Sequence, residues 1–416
     1  MQLSPRTLTP SESVSSPARN TIRLALHCVG PLDLTLLQRA WQLACHEAPG
    51  LAGTLRTAGE TYVFHPDPGR GGLVRYTDEE LAHFRTTAHR TLDELDCVSA
   101  LEVRSPGRDQ HVVSLLVRHS IADGRNALHA LSRLWELYTA MAGGNPSPAL
   151  REPVLAEPLE TLYRDRQIPS GTPRQPDPAA PPVYLTGPDW DGQRLSGLRH
   201  GTVRLSAQDT ELLRRRCSQQ AATVHGVLSA AIVLSLSQSR PDLDAFDLTS
   251  IVDVRPHVAP PLGPLEGTYA LGFSTSHLDM RLHSGIDGIA KVVIENMRAD
   301  LESGAAQRSS ISNADLRSAG AVPTMLSNLG TIPEFAHPDN LIHTDFSAWN
   351  EMDLSSAGSP DVLTVYGNMA VAGTFAGRLR MDLFHGNEMF PGDWTQAQVR
   401  QIREFLADYL AGKDRP

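Results

Sequence analysis

Leu115-Leu116-Val117-Arg118-His119-Ser120-Ile121-Ala122-Asp123-Gly124 joins two kinds of hydrophobic pattern. The run from Val112 to Val117 is almost wholly apolar and reads as a buried strand. From Arg125 to Met141, Leu128, Leu131, Trp135 and Tyr138 recur at three- and four-residue steps, which predicts a helix. His119 then stands at a strand end and Asp123 at a helix start. Such a junction can hold an imidazole and a carboxylate at fixed geometry. A plainer role is also open to each. Asp123 is a good N-cap, Gly124 eases a tight entry, and His119 can be a hydrogen-bonded residue at a strand end.

Working outward, Ile22–Val29 reads as a strand, and Asp33 caps a helix that carries Leu36, Leu37, Ala40, Trp41 and Ala44 and stops before Pro49-Gly50. Short strands are expected near 61–64 and 98–103, with a polar helix over 78–90 between them. Seven prolines fall between Pro169 and Pro188. That density is stiff and extended, and it reads as a connection between two halves or as a long surface loop. Beyond it, strands are expected near 201–205, 247–254, 270–280, 323–328, 361–371 and 378–384. Helices are expected over 206–217, 224–237, 284–302 and 395–410. The division is thus 1–168, a proline-rich linker at 169–198, and 199–416. Each half is a mixed α/β sheet flanked by helices.

The 416 residues leave room for two domains with large cores. A formal net charge of −10 gives no basic footprint for nucleic acid or anionic membrane. The four cysteines form no Cys-x-x-Cys pair, so neither a zinc site nor a disulfide framework is indicated, and reduced thiols in a cytoplasmic protein are expected. The first twenty residues are rich in Ser, Pro and Thr and contain no signal-peptide core. No apolar run is long enough to span a membrane. Gly272-Phe273-Ser274-Thr275-Ser276 lacks the closing glycine of a nucleophile elbow. Phosphate-loop, dinucleotide and zincin motifs are missing too. The sixteen histidines are scattered, and most read as surface residues. Chemistry without metal or permanent cofactor is favoured.

Leu116-Val-Arg-His-Ser-Ile-Ala-Asp-Gly124 resembles the His-His-x-x-x-Asp-Gly signature of the condensation-domain and chloramphenicol-acetyltransferase-like superfamily. Gly30-Pro-Leu-Asp33 through Pro49-Gly-Leu51, Val252-Asp-Val-Arg-Pro256, Met297-Arg-Ala-Asp-Leu301 and Ser327-Asn-Leu-Gly330 agree with it in order and spacing. The nearest branch is that of the phthiocerol dimycocerosyl transferases. The resemblance implies two similar lobes arranged as a V around a channel. It implies transfer of an acyl group from coenzyme A, or from the phosphopantetheine arm of an acyl carrier protein, to a small-molecule hydroxyl such as that of a polyketide. His119 would be the general base. Asp123 and Gly124 would orient it, with Arg255 as the partner of Asp123. Ser274, Thr275 and Ser276 are candidates for stabilising the oxyanion, and Asn328 for lining the channel. Alternation puts Ser274 and Ser276 on one face of a strand and Thr275 on the other. An amide-forming condensation enzyme and a silent carrier-protein-binding module are the alternatives. Arg118 replaces the first histidine of the signature. By alternation it points away from residue 119 and needs a partner for its charge.

Overall fold

The computed structural model describes residues 4–13, 16, 19–59, 61–72, 74–77, 92–107, 109–168, 197–283, 285–309, 324–352, 367–390 and 392–413. Two compact units divide the chain. The first comprises Met1–Pro169, Val258–Ala270 and Pro333–Ser356. The second comprises Ser170–His257, Leu271–Ile332 and Ala357–Pro416.

The first unit is built on a five-stranded sheet in the order β12-β2-β7-β6-β5. Its strands are Thr21–Val29 (β2), Val74–Thr77 (β5), Ser99–Gly107 (β6), Gln110–Arg118 (β7) and Ile342–Glu351 (β12). Only β5 runs parallel to its neighbour. β7 is central, and seven of its nine residues, from Val112 to Arg118, are buried together with His111. This explains why its sequence is continuously apolar instead of alternating. A smaller sheet orders Arg6–Thr7 (β1), Thr61–Pro66 (β4) and Gly53–Ala58 (β3) side by side. Helix α1 spans Pro10–Ser13 and α2 spans Leu34–Glu47, capped by Asp33 through its bonds from the Thr35 and Leu36 amides. Helix α3, Gly124–Ala142, packs against α2 and buries Leu128, Leu131, Trp135 and Tyr138 as its periodicity requires. A short α4 follows at Leu159–Asp165. Gly30 has φ of +124°, and a Cβ there would lie 2.1 Å from the Asn340 carbonyl, so only glycine fits this close approach.

The second unit holds a six-stranded sheet in the order β10-β9-β11-β13-β14-β8. Its strands are Leu198–Arg204 (β8), Ala245–Asp253 (β9), Leu271–Asp279 (β10), Thr324–Thr331 (β11), Asn368–Phe375 (β13) and Arg378–Gly386 (β14). β11 runs parallel to both of its neighbours, and the other pairs are antiparallel. The helices are Ala207–Gln219 (α5), Val224–Ser239 (α6), Gly285–Glu302 (α7), Ala305–Ser309 (α8) and Trp394–Ala411 (α9). Ser206 and Thr223 cap α5 and α6. Helix α6 packs against both α7 and α9, which accounts for its apolar character on nearly every face. The fold is mixed α/β throughout.

The expected division at a single linker needs correction. Residues 333–356 lie beyond the linker in sequence but belong to the first unit, because β12 pairs with β2 from Ile342↔Val29 to Glu351↔Thr21. Residues 258–270 also belong there. The polar helix expected over 78–90, most of the linker at 169–198, and the start of the strand expected at 361–371 lie outside the described residues. All four cysteines are free and buried. Among the described residues, no single helix is long and apolar enough to cross a membrane.

Candidate active site

The β7–α3 junction forms as the sequence predicts, and it joins the two residues singled out there. β7 ends at Arg118, and the His119 amide donates to the Asn20 carbonyl at 2.9 Å. His119 is 7% exposed, and its imidazole lies against Tyr269 with ring centroids 5.2 Å apart. Its Nδ1 is buried and makes no hydrogen bond of regular geometry to the described residues. Burial lowers the His119 pKa from its ordinary value; Asp123 and the backbone of His119 and Ala122 oppose that shift without overcoming it. The ring is therefore neutral at pH 7 and able to accept a proton.

Asp123 is fully buried and spends both oxygens on amides. Oδ1 accepts from Arg125 N at 3.0 Å and Asn126 N at 3.1 Å, and Asn126 returns a bond to the Asp123 amide, completing a capping box. Oδ2 accepts from Ala270 N at 2.9 Å. Asp123 thus ties the loop after His119 to the segment that carries Tyr269. Gly124 is the first residue of α3. A carboxylate held in this way caps α3 and fixes the loop that follows His119.

Arg118 finds the partner its charge requires. The guanidinium pairs with Asp93 and donates to the Arg19 carbonyl at 2.8 Å and to the Thr21 hydroxyl at 3.3 Å. Arg255 lies just past β9 in a short 3₁₀ turn, beyond the strand expected near 247–254. It is 4% exposed, and both its amide and Nη1 donate to Asp253 Oδ1. Asp123 and Arg255 belong to different units. The coupling that the resemblance implies is read by a double-mutant cycle in denaturant.

The hydroxyl candidates separate by face. Ser274 donates to Asp300 Oδ2 at 2.6 Å, and Ser276 accepts from Asn296 Nδ2 at 3.2 Å; both acceptor and donor stand on α7. Both serines are 1% exposed. Thr275 is on the opposite face, exposed, and bonded to the Thr249 hydroxyl at 2.9 Å. Asn328 accepts from Gly330 N at 2.9 Å and so shapes the irregularity in β11. The scattered histidines include more buried ones than expected: His111, His119 and His385 are all below 10% exposed. Among the described residues there is no group of histidine, cysteine and carboxylate side chains that would hold a metal ion. A cavity of about 330 Å³ in the first unit is lined by Glu47, His129, Arg133 and Arg151 among others, and His119 is not among its lining residues.

Residues 196–384 match the family model for the phthiocerol/phthiodiolone dimycocerosyl transferase C-terminus. A phthiocerol/phthiodiolone dimycocerosyl transferase of Mycobacterium ulcerans is 24% identical over 357 residues, covering 82% of this chain and 84% of that protein. The structure of polyketide synthase associated protein 5 from Mycobacterium tuberculosis superposes with a TM-score of 0.78 at 20% identity, over 98% of each chain. The chain is thus similar in sequence to the phthiocerol/phthiodiolone dimycocerosyl transferases, and its fold is shared with condensation domains. The same fold occurs in the first condensation domain of the CDA synthetase, at a TM-score of 0.65 and 18% identity over 98% of this chain and 96% of that one. It occurs again in the trichothecene 15-O-acetyltransferase of Fusarium sporotrichioides, at 0.69 and 13% over 97% and 95%.

Proposed function

We propose that the protein moves an acyl group from a thioester, on coenzyme A or on an acyl carrier protein, to the hydroxyl of a polyketide or similar small molecule, with His119 as general base. The observation that carries this reading is the imidazole of His119, buried at a strand end four residues before an Asp123 carboxylate already committed to three backbone amides. A thioester is already activated, so the protein need not supply a nucleophile. The acceptor oxygen attacks the thioester carbonyl while its proton passes to the imidazole. The tetrahedral intermediate then collapses, breaking the carbon–sulfur bond, and the proton returns to the departing thiolate. A positioned base of this kind contributes roughly 10²–10⁴-fold. Developing charge on the carbonyl oxygen calls for a donor. Ser274, Thr275 and Ser276 are the hydroxyls the resemblance offers for that role. One relative is named a phthiocerol/phthiodiolone dimycocerosyl transferase, one structural neighbour a polyketide synthase associated protein and another a trichothecene 15-O-acetyltransferase, and the last supports an alcohol acceptor.

The test is acyl transfer by purified protein from acyl-coenzyme A and acyl carrier protein donors to a panel of alcohols. His119→Ala should fold as the wild type does and lose at least a hundredfold in kcat (about 2.7 kcal/mol). Wild-type kcat should fall on the acid side with a midpoint below the ordinary histidine value, because burial depresses the His119 pKa. Retention of more than about a tenth of wild-type kcat in His119→Ala, with chemistry rate-limiting, would remove the base assignment.

A further inference from the structure

The described part of residues 6–20 bonds to the chain at His119 and Ser120 and to Thr268, the neighbour of Tyr269. Ser16 Oγ bonds Ser120 Oγ at 2.8 Å, with both side chains buried, and the Asn20 carbonyl receives the His119 amide. Glu12, which is 0% exposed, reaches the segment that carries Tyr269. Its carboxylate takes two bonds from Arg6, at 2.6 and 2.7 Å, and one from the Thr9 amide at 3.0 Å. Oε1 also accepts from the Thr268 hydroxyl at 2.7 Å. A buried carboxylate is costly unless its lone pairs are used, and here one of them is used on Thr268. Three consecutive residues then meet three different groups. Thr268 is tied to Glu12, Tyr269 supports the imidazole, and Ala270 is tied to Asp123.

We propose that Glu12 and Ser16 are positioning residues for His119: Glu12 fixes, through Thr268, the tyrosine on which the imidazole rests, and Ser16 fixes the turn that follows it. This rests on the reading of His119 as the base. The geometry gives it physical content, because an error of about 1 Å in a reacting group can cost on the order of 10²-fold in rate. Glu12 and Ser16 touch neither substrate nor reacting atoms in this scheme. Their effect reaches the reaction only through the placement of the imidazole.

The experiment is steady-state kinetics on Thr268→Val and Thr268→Ser. Valine keeps the branched shape and removes the hydroxyl, leaving Glu12 held by Arg6 and Thr9. Thr268→Val should lower kcat about tenfold with KM within about twofold, and should move the acid limb of the kcat profile, while Thr268→Ser restores kcat. Wild-type kcat and pH profile in Thr268→Val, or an equal fall in Thr268→Ser, would overturn the assignment of Glu12. Ser16→Ala reads the second brace and serves if Thr268→Val does not accumulate as folded protein. A fall of about fivefold in kcat at unchanged KM supports the proposal, and wild-type kcat sinks it. His119→Ala is measured beside them. If it stays active, the base reading fails. If it is inactive while Thr268→Val and Ser16→Ala match the wild type, the base stands and the positioning role falls.

Discussion

At the scale of single residues, the site separates into what is local in sequence and what is not. His119, Asp123 and Asn126 fall within eight positions, and a strand period giving way to a helix period places them. Glu12 and Thr268 stand 256 positions apart, and no periodicity relates them. The signal that a reader could have used is a glutamate in a Ser/Thr/Pro-rich stretch, which says only that its charge needs a partner. Arg118 is intermediate. Strand alternation pointed it away from residue 119, and the structure supplies Asp93, the Arg19 carbonyl and the Thr21 hydroxyl on that side. Arg118→His, which restores the superfamily doublet, should therefore keep kcat within about tenfold of wild type. It should lose about 1–3 kcal/mol of stability, because an imidazole cannot span all three partners. A fall in kcat as deep as that of His119→Ala would place Arg118 in the chemistry.

Among the elements, those with a single strong period were the legible ones. The helices over Leu34–Glu47, Gly124–Ala142 and Trp394–Ala411 agree with their apolar spacing to within a few residues. β12 was not legible. Its first residues, Ile342-His-Thr-Asp345, are half-buried or exposed, and only the stretch from Phe346 to Trp349 is continuously buried. What holds the strand is a buried charge cluster. Arg23 on β2 donates to Glu351 at 2.6 Å and to Glu102 on β6 at 2.7 Å, and Trp349 Nε1 donates to Glu351 at 3.0 Å. Burial alone would raise the Glu102 pKa; Arg23 and Arg104 outweigh it and hold that carboxyl below its ordinary value. Glu351→Ala should cost about 3 kcal/mol in urea denaturation followed by tryptophan fluorescence, since it removes one carboxylate from an enclosed guanidinium. A loss below about 1 kcal/mol would mean that strand pairing and packing hold β12 without the cluster.

For the whole molecule, histidines with lowered pKa values set the response to acid. Burial lowers His225 and His343 to about 4 and His385 to about 3. Unfolded histidine titrates near 6.5, so between these values the unfolded chain binds more protons than the folded one. Stability is then full above about pH 6.5 and is lost as pH falls through the window down to about 4. His385, which bonds Thr395, contributes one proton to that slope. His385→Gln should make the fall shallower by about 1.4 kcal/mol per pH unit between about pH 6 and 4, read from denaturation curves at several pH values. An unchanged slope would mean that His385 already ionises in the folded chain. The late arrival of β12 carries a different consequence, one of timing. During synthesis, β2, β7 and β6 leave the ribosome more than two hundred residues before Ile342 does. Until then the Thr21–Val29 edge has no partner in the growing chain, and an unpaired edge is a template for pairing with other chains. Translation from residue 30 to residue 342 takes roughly 15–60 s at about 5–20 residues per second. Over that interval the nascent chain depends on whatever shields this edge, and a chain stopped before residue 342 would keep it bare for good.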